Sequence, residues 1–179
     1  MVSDPCIEIV QNGQWWLSPL AIFVSACIGA GVAICAILNQ HAIARRRATL
    51  DMIVASEGDG PFQRNLAVFK SESKCSRSMR RIAESESASE LATQRQVDSF
   101  LNHYELIAIA IEKKILDKEF YKLWMRGAYV EDYIKAAPYI NELQGMPNGG
   151  QTFINFQLLA REWMTSAEKQ AATEAEKAE

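Results

Sequence analysis

No charged side chain occurs between Glu8 and Arg45, and no Lys or Arg precedes Arg45, although the 179-residue chain holds 19 of them. The first absence allows a long stretch to enter hydrocarbon. The second argues against an ordinary secretory signal peptide, which wants a positive segment ahead of its apolar run. Histidine is scarce as well: His41 and His103 are the only two, without a cluster at ligand spacing, so neither a metal centre nor a cofactor is expected. The cysteines Cys6, Cys27, Cys35 and Cys75 are scattered and make neither a CxxC metal pair nor a disulfide framework. No apolar/polar alternation runs far enough for a strand, which excludes a β architecture. Of the 22 acidic residues only Asp4 and Glu8 precede Arg45, which leaves 20 in the remainder against 19 basic ones. So even a charge balance recruits no nucleic acid.

What the chain does contain is Trp15 to Leu38, WWLSPLAIFVSACIGAGVAICAIL, long enough for the ~20 helical residues that cross ~30 Å of hydrocarbon. Residues 15–41 are expected to be a transmembrane helix. Trp15 and Trp16 suit one headgroup layer, and Arg45, Arg46 and Arg47 stand beyond the other end, where they would meet anionic lipid. The positive-inside rule then puts residues 1–14 outside and the remainder in the cytoplasm of a bacterial inner membrane. The alternative is a lipobox at Val24, Ser25, Ala26 and Cys27, which would remove the first 26 residues. Within the span Ser25, Gly29 and Ala33 recur every four residues, with Gly31 on a second small-residue row. Such rows allow helices to approach closely in lipid, and a homo-oligomer is expected.

Beyond the span the pattern is helical throughout. Residues 42–57 continue it as a juxtamembrane helix with Leu50, Ile53 and Val54 as its stripe. Residues 58–95 hold short helices and a Ser-rich connection: Pro61 opens one helix bearing Phe62, Leu66 and Phe69, and Met79 and Ile82 centre another. Residues 96–164 form the core domain. There Val97, Phe100, Leu101, Tyr104, Ile107, Ala108, Ile111 and Ile115 keep helical spacing, and Leu106 to Ile111 is apolar all round. Asp117 caps a further helix, with Phe120, Leu123, Trp124, Gly127, Tyr133 and Ile134 on its inner side and Pro138 interrupting or kinking it. After the loop GMPNGG, Phe153, Phe156, Leu159 and Trp163 form a last stripe. Residues 165–179 read as a frayed helical tail. The fold class is all-α: a single N-terminal transmembrane helix continuing into a cytoplasmic helical bundle.

The segment LNHYELIAIAIEKKILDKEF, a following Trp/Phe-rich helix, PYI, a Gly/Asn/Pro loop and FINFQLLAREW together resemble a bacterial domain-of-unknown-function family. The resemblance extends to one N-terminal span and a basic juxtamembrane helix starting Thr49, Leu50, Asp51, Met52, and it covers Ala44 to Trp163. It implies the fold and carries no chemistry.

Polar residues in the core are few. Glu105 needs a partner there, and Arg126 or Arg161 is the expected one across the bundle. Asn102, His103 and Glu105 are the polar set an enzyme would use. An RNase of the HEPN type resembles this architecture, but its Arg stands four to six residues before its His. Here seven residues separate Arg95 from His103. No catalytic or metal-binding residue is therefore assigned, and the chain is read as acting by interaction. Its expected partners are the lipid bilayer, further copies of itself and a cytoplasmic protein. In its strongest form this reading resembles the single-span pore proteins that accompany some RNA-guided antiviral systems. The divergent membrane-anchored RNase and the passive anchor are the alternatives.

Overall fold

Pro19 falls near the first turn of a helix, where a missing amide costs little, and no further breaker follows until Gly58. The computed structural model accordingly has α1 unbroken over Leu17–Gly58. The residues described are 17–74, 76–84, 87–147 and 149–177. The expected outer segment 1–14, Trp15, Trp16, Cys6 and Cys75 lie outside them. The remaining helices are α2 (Gly60–Glu72), α3 (Ser76–Glu84), α4 (Ala88–Glu112), α5 (Lys118–Gly145), α6 (Ile154–Trp163) and α7 (Ser166–Lys177), with no strand among the described residues. The chain divides into two compact units, Met1–Ile43 and Ala44–Glu179.

In the first unit, the described residues from Pro19 to Gln40 are exposed. An 18-residue window of α1 reaches a mean hydropathy of 2.5 with none of it buried. By length and composition this helix is a candidate membrane span.

The second unit is a helical bundle. α4 packs on α2, α3 and α6, and α5 packs on α3, α6 and α7. Its centre is aromatic: Tyr104, Tyr129 and Phe156 lie with ring centroids 4.8–5.1 Å apart, and Trp163 sits 5.1 Å from Tyr129. Phe62, Leu66 and Phe69 face this core from α2, and Met79 and Ile82 are buried on α3, as the spacing predicts. Gly149 is where the backbone leaves no choice, since a Cβ there would lie 1.6 Å from the Leu143 carbonyl oxygen.

Several expectations are corrected. The inner stripe of α1 beyond Ala44 is Thr49 and Ile53, not Leu50 and Val54, which are exposed. Leu106, Ile109 and Ile115 also face solvent, so the middle of α4 is buried on one side only. On α5 the buried face runs through Tyr121, Tyr129, Asp132, Tyr133 and Ala136. Leu123 and Trp124 are 87% and 65% exposed, and Gly127 is exposed too. Pro138 does not interrupt α5. α4 begins at Ala88 and not near Gln96, because Ser87 accepts the Glu90 amide as N-cap and donates its hydroxyl to the Glu90 carboxylate. The tail forms α7, docked by Ala172 in the core and by ion pairs of Glu168 and Glu176 with Arg126 and Arg161.

Candidate functional site

The small residues of the span keep their surroundings open. A Cβ added at Gly29 or Gly31 would meet nothing within 4 Å, and Ala33 is exposed. Ser25 turns its hydroxyl back to the Ile22 carbonyl at 2.9 Å, so the face shared by Ser25, Gly29 and Ala33 is small and apolar with its one polar group satisfied within the helix.

The arginine triplet, read as one basic cluster, separates. Arg46 bonds Asp117 at 3.3 Å, Arg47 is exposed, and Arg45 is half-buried with its Nε lacking a hydrogen-bond partner. Thr49 explains the inward turn. Its buried hydroxyl donates to the Arg45 carbonyl and accepts the Asp117 amide, each at 2.8 Å, which ties α1 to the start of α5. Asp117 in turn caps α5 by accepting the Phe120 amide. That backbone bond, with Arg46 beside it, holds its carboxyl below the usual range. Arg45 thereby lines a cavity of about 690 Å³ together with the end of α4, the start of α5 and the outer face of α6.

The polar residues of α4 do not converge. Asn102 is exposed. His103 lies 3.2 Å from the Ser56 hydroxyl and against the Phe62 ring at 4.5 Å; burial pushes its pKa down, with Asp59 opposing. Glu105 pairs with neither Arg126 nor Arg161. It accepts the backbone amides of Asn155 and Phe156 at 3.2 and 2.7 Å and the Asn155 side chain at 2.6 Å.

The reason is the start of α6. Its N-cap residue is Phe153, left-handed at φ 55 and without a side chain that can cap, so the first free amides of the helix are satisfied from α4 instead. Arg126 bonds the Trp163 carbonyl and Glu168, and Arg161 bonds Tyr133 and Glu176. Glu105→Ala is expected to cost about 2 kcal/mol, the upper end for a lost cap. Hydrogen exchange should quicken first at the Asn155 and Phe156 amides. Unchanged protection there would rule out the capping role.

A buried network that no sequence motif marks joins α2, α4 and α5. Asp132, 1% exposed, pairs with Lys70 of α2 and accepts the Tyr104 hydroxyl at 3.0 Å. Desolvation raises its carboxyl pKa, with Lys70 and Tyr104 opposing, and the same burial lifts the Tyr104 phenol far above its ordinary value. The signal lies in the register: Asp132 falls three residues after Tyr129 and four before Ala136, on the tyrosine face of α5 and not on its solvent side. Among the described residues no group of His, Cys, Asp and Glu is arranged to hold a metal.

Residues 23–163 match the profile of a domain of unknown function, DUF4760, and the chain belongs to that family. The match begins at Phe23, so most of the apolar helix is part of the family's domain, and α7 lies beyond it. No curated protein and no solved structure matches the chain.

Proposed function

We propose that this is a single-pass inner-membrane protein, N-terminus outside, that self-associates through its span and presents the helical unit to the cytoplasm as an interaction module rather than as an enzyme. The observation that carries the reading is the row of small residues Ser25, Gly29 and Ala33 on a long apolar stretch of α1, none of which is buried. In lipid such a face gains by close backbone approach to another helix. The basic residues Arg45 to Arg47 follow directly and favour retention of that end in the cytoplasm. A conducting pore is the less favoured form of the same reading. With the Ser25 hydroxyl bound to Ile22, Asn39 and Gln40 supply a thin polar lining.

Light scattering behind size exclusion tests this on the full chain in detergent. The wild type is expected to run as a defined oligomer and Gly29→Leu as a monomer, because the leucine fills the gap between backbones. A monomer in both would remove self-association.

A further inference from the structure

The cavity of about 690 Å³ in the Ala44–Glu179 unit is lined by Ile111, Leu116, Leu158 and Leu159 and by side chains of both charge signs. Most of that charge is already committed. Lys118 pairs with Glu162 at 2.5 Å, Glu112 with Lys113, and Asp117 with Arg46 and the α5 amide. Among the described residues, Arg45, Lys114 and Glu119 are the lining charges for which no ion pair forms. Two of the three are cations.

Both cations are placed at some cost. The Arg45 Nε is buried with nothing to accept its proton, and a buried donor without an acceptor is unfavourable. Lys114 stands left-handed at φ 58 where α4 ends, the position at which glycine is favoured. There the Ala110 carbonyl receives the amides of Ile115 and Leu116, and the turn sets Lys114 on the cavity wall. Apolar side chains beside two cations that form no ion pair suit an amphiphile with an anionic head. Arg45 is also the first charged residue after the apolar stretch, so on the membrane reading lipid is the amphiphile nearest to it along the chain.

We propose that this cavity binds an anionic phospholipid, its phosphate held by Arg45 and Lys114 and its glycerol and first acyl carbons laid against Ile111, Leu158 and Leu159. The proposal rests on the membrane reading for the source of the ligand and is independent of self-association.

Native mass spectrometry of the full chain in a non-ionic detergent tests it, with dihexanoyl phosphatidylglycerol, dihexanoyl phosphatidylcholine and inorganic phosphate as probes. Phosphatidylglycerol is expected to give a saturable 1:1 adduct. Arg45→Gln and Lys114→Gly should each weaken it about tenfold, the effect of one charge-assisted contact. Leu158→Ser, at a residue 60% exposed, should weaken the lipid and leave inorganic phosphate unaffected. Lys114→Gly separates binding from folding, because glycine relieves the left-handed residue and the thermal midpoint should hold or rise while the adduct weakens. Three outcomes would overturn the proposal: no saturable adduct, variants that bind like the wild type, or phosphatidylcholine binding equally. Inorganic phosphate competing as well as the lipid would overturn the amphiphile and leave a free-oxyanion site.

Discussion

Phe156→Ala is expected to destabilise the helical unit by about 4 kcal/mol, the middle of the range for removing a buried phenylalanine. Phe156 is fully buried, and its ring meets three others, Tyr104, Tyr129 and Tyr133, at 5.1, 4.8 and 5.5 Å, the last two edge-on. Three helices therefore converge on one side chain. The tyrosines cannot collapse into the space it leaves, since Tyr104 is anchored by its bond to Asp132 and Tyr129 by its bond to the Tyr104 carbonyl. Urea unfolding of the full chain in non-ionic micelles, followed by the near-ultraviolet circular dichroism of the tyrosines, checks the value. Leu158→Ala, two residues further along α6 and exposed, should move the midpoint by no more than about 0.5 kcal/mol. Equal effects of the two substitutions would mean that the aromatic cluster is not the seat of stability.

How much of this is legible in the sequence varies with the kind of signal. Absence of charge is a strong one, and α1 follows from it. Punctuation is nearly as good: Pro61 opens α2, Asp117 caps α5, and the aromatic spacing of Phe153, Phe156, Leu159 and Trp163 sets the inner face of α6. Register within a helix that is apolar on two sides is weaker. In KEFYKLWMRGAYVEDYI, leucine and tryptophan outweigh tyrosine in hydrophobicity, so the pattern places Leu123 and Trp124 inside. The fold instead buries the tyrosines: the Tyr129 hydroxyl finds the Tyr104 carbonyl, and the Tyr133 hydroxyl finds Glu176 and accepts from Arg161. Thr49 misleads in the same way on α1, because its hydroxyl is satisfied twice and it can be buried where Leu50 is not.

The candidate site shows the further limit. That Glu105 needs a partner follows from its sequence position. That the partner is the start of α6 follows only from a left-handed Phe153, distant along the chain and adjacent in space, which no local pattern announces. Arg45 is similar: a triplet of arginines reads as one surface feature, and only the Thr49–Asp117 bond separates the one that turns inward from the two that do not. The lone Asp132 between tyrosines reads as solvent-facing until the register of α5 is known.

Asp132 provides the second test with a large effect. Asp132→Ala is expected to cost about 2–3 kcal/mol, chiefly by leaving the buried Tyr104 hydroxyl without an acceptor. The other partner, Lys70, is 41% exposed and returns to water, so the full penalty of a stranded buried charge does not arise. Asp132→Asn keeps an oxygen for Tyr104 and removes the carboxylate, and it should stay within about 1 kcal/mol of the wild type. The pH dependence gives the sign. Desolvation raises the Asp132 carboxyl above its unfolded value, so folding favours the protonated form. Its contribution to stability is complete below the unfolded pKa and is lost as pH rises through the folded one. Asp98, also raised by burial, and His103, lowered by it, titrate alike in wild type and variant and cancel in the difference. Unfolding measured from about pH 4 to about pH 7 should therefore show the wild type losing stability relative to Asp132→Asn as the pH rises. A difference that grows in favour of the wild type would mean that Lys70 outweighs desolvation and that the pair is a stabilising salt bridge.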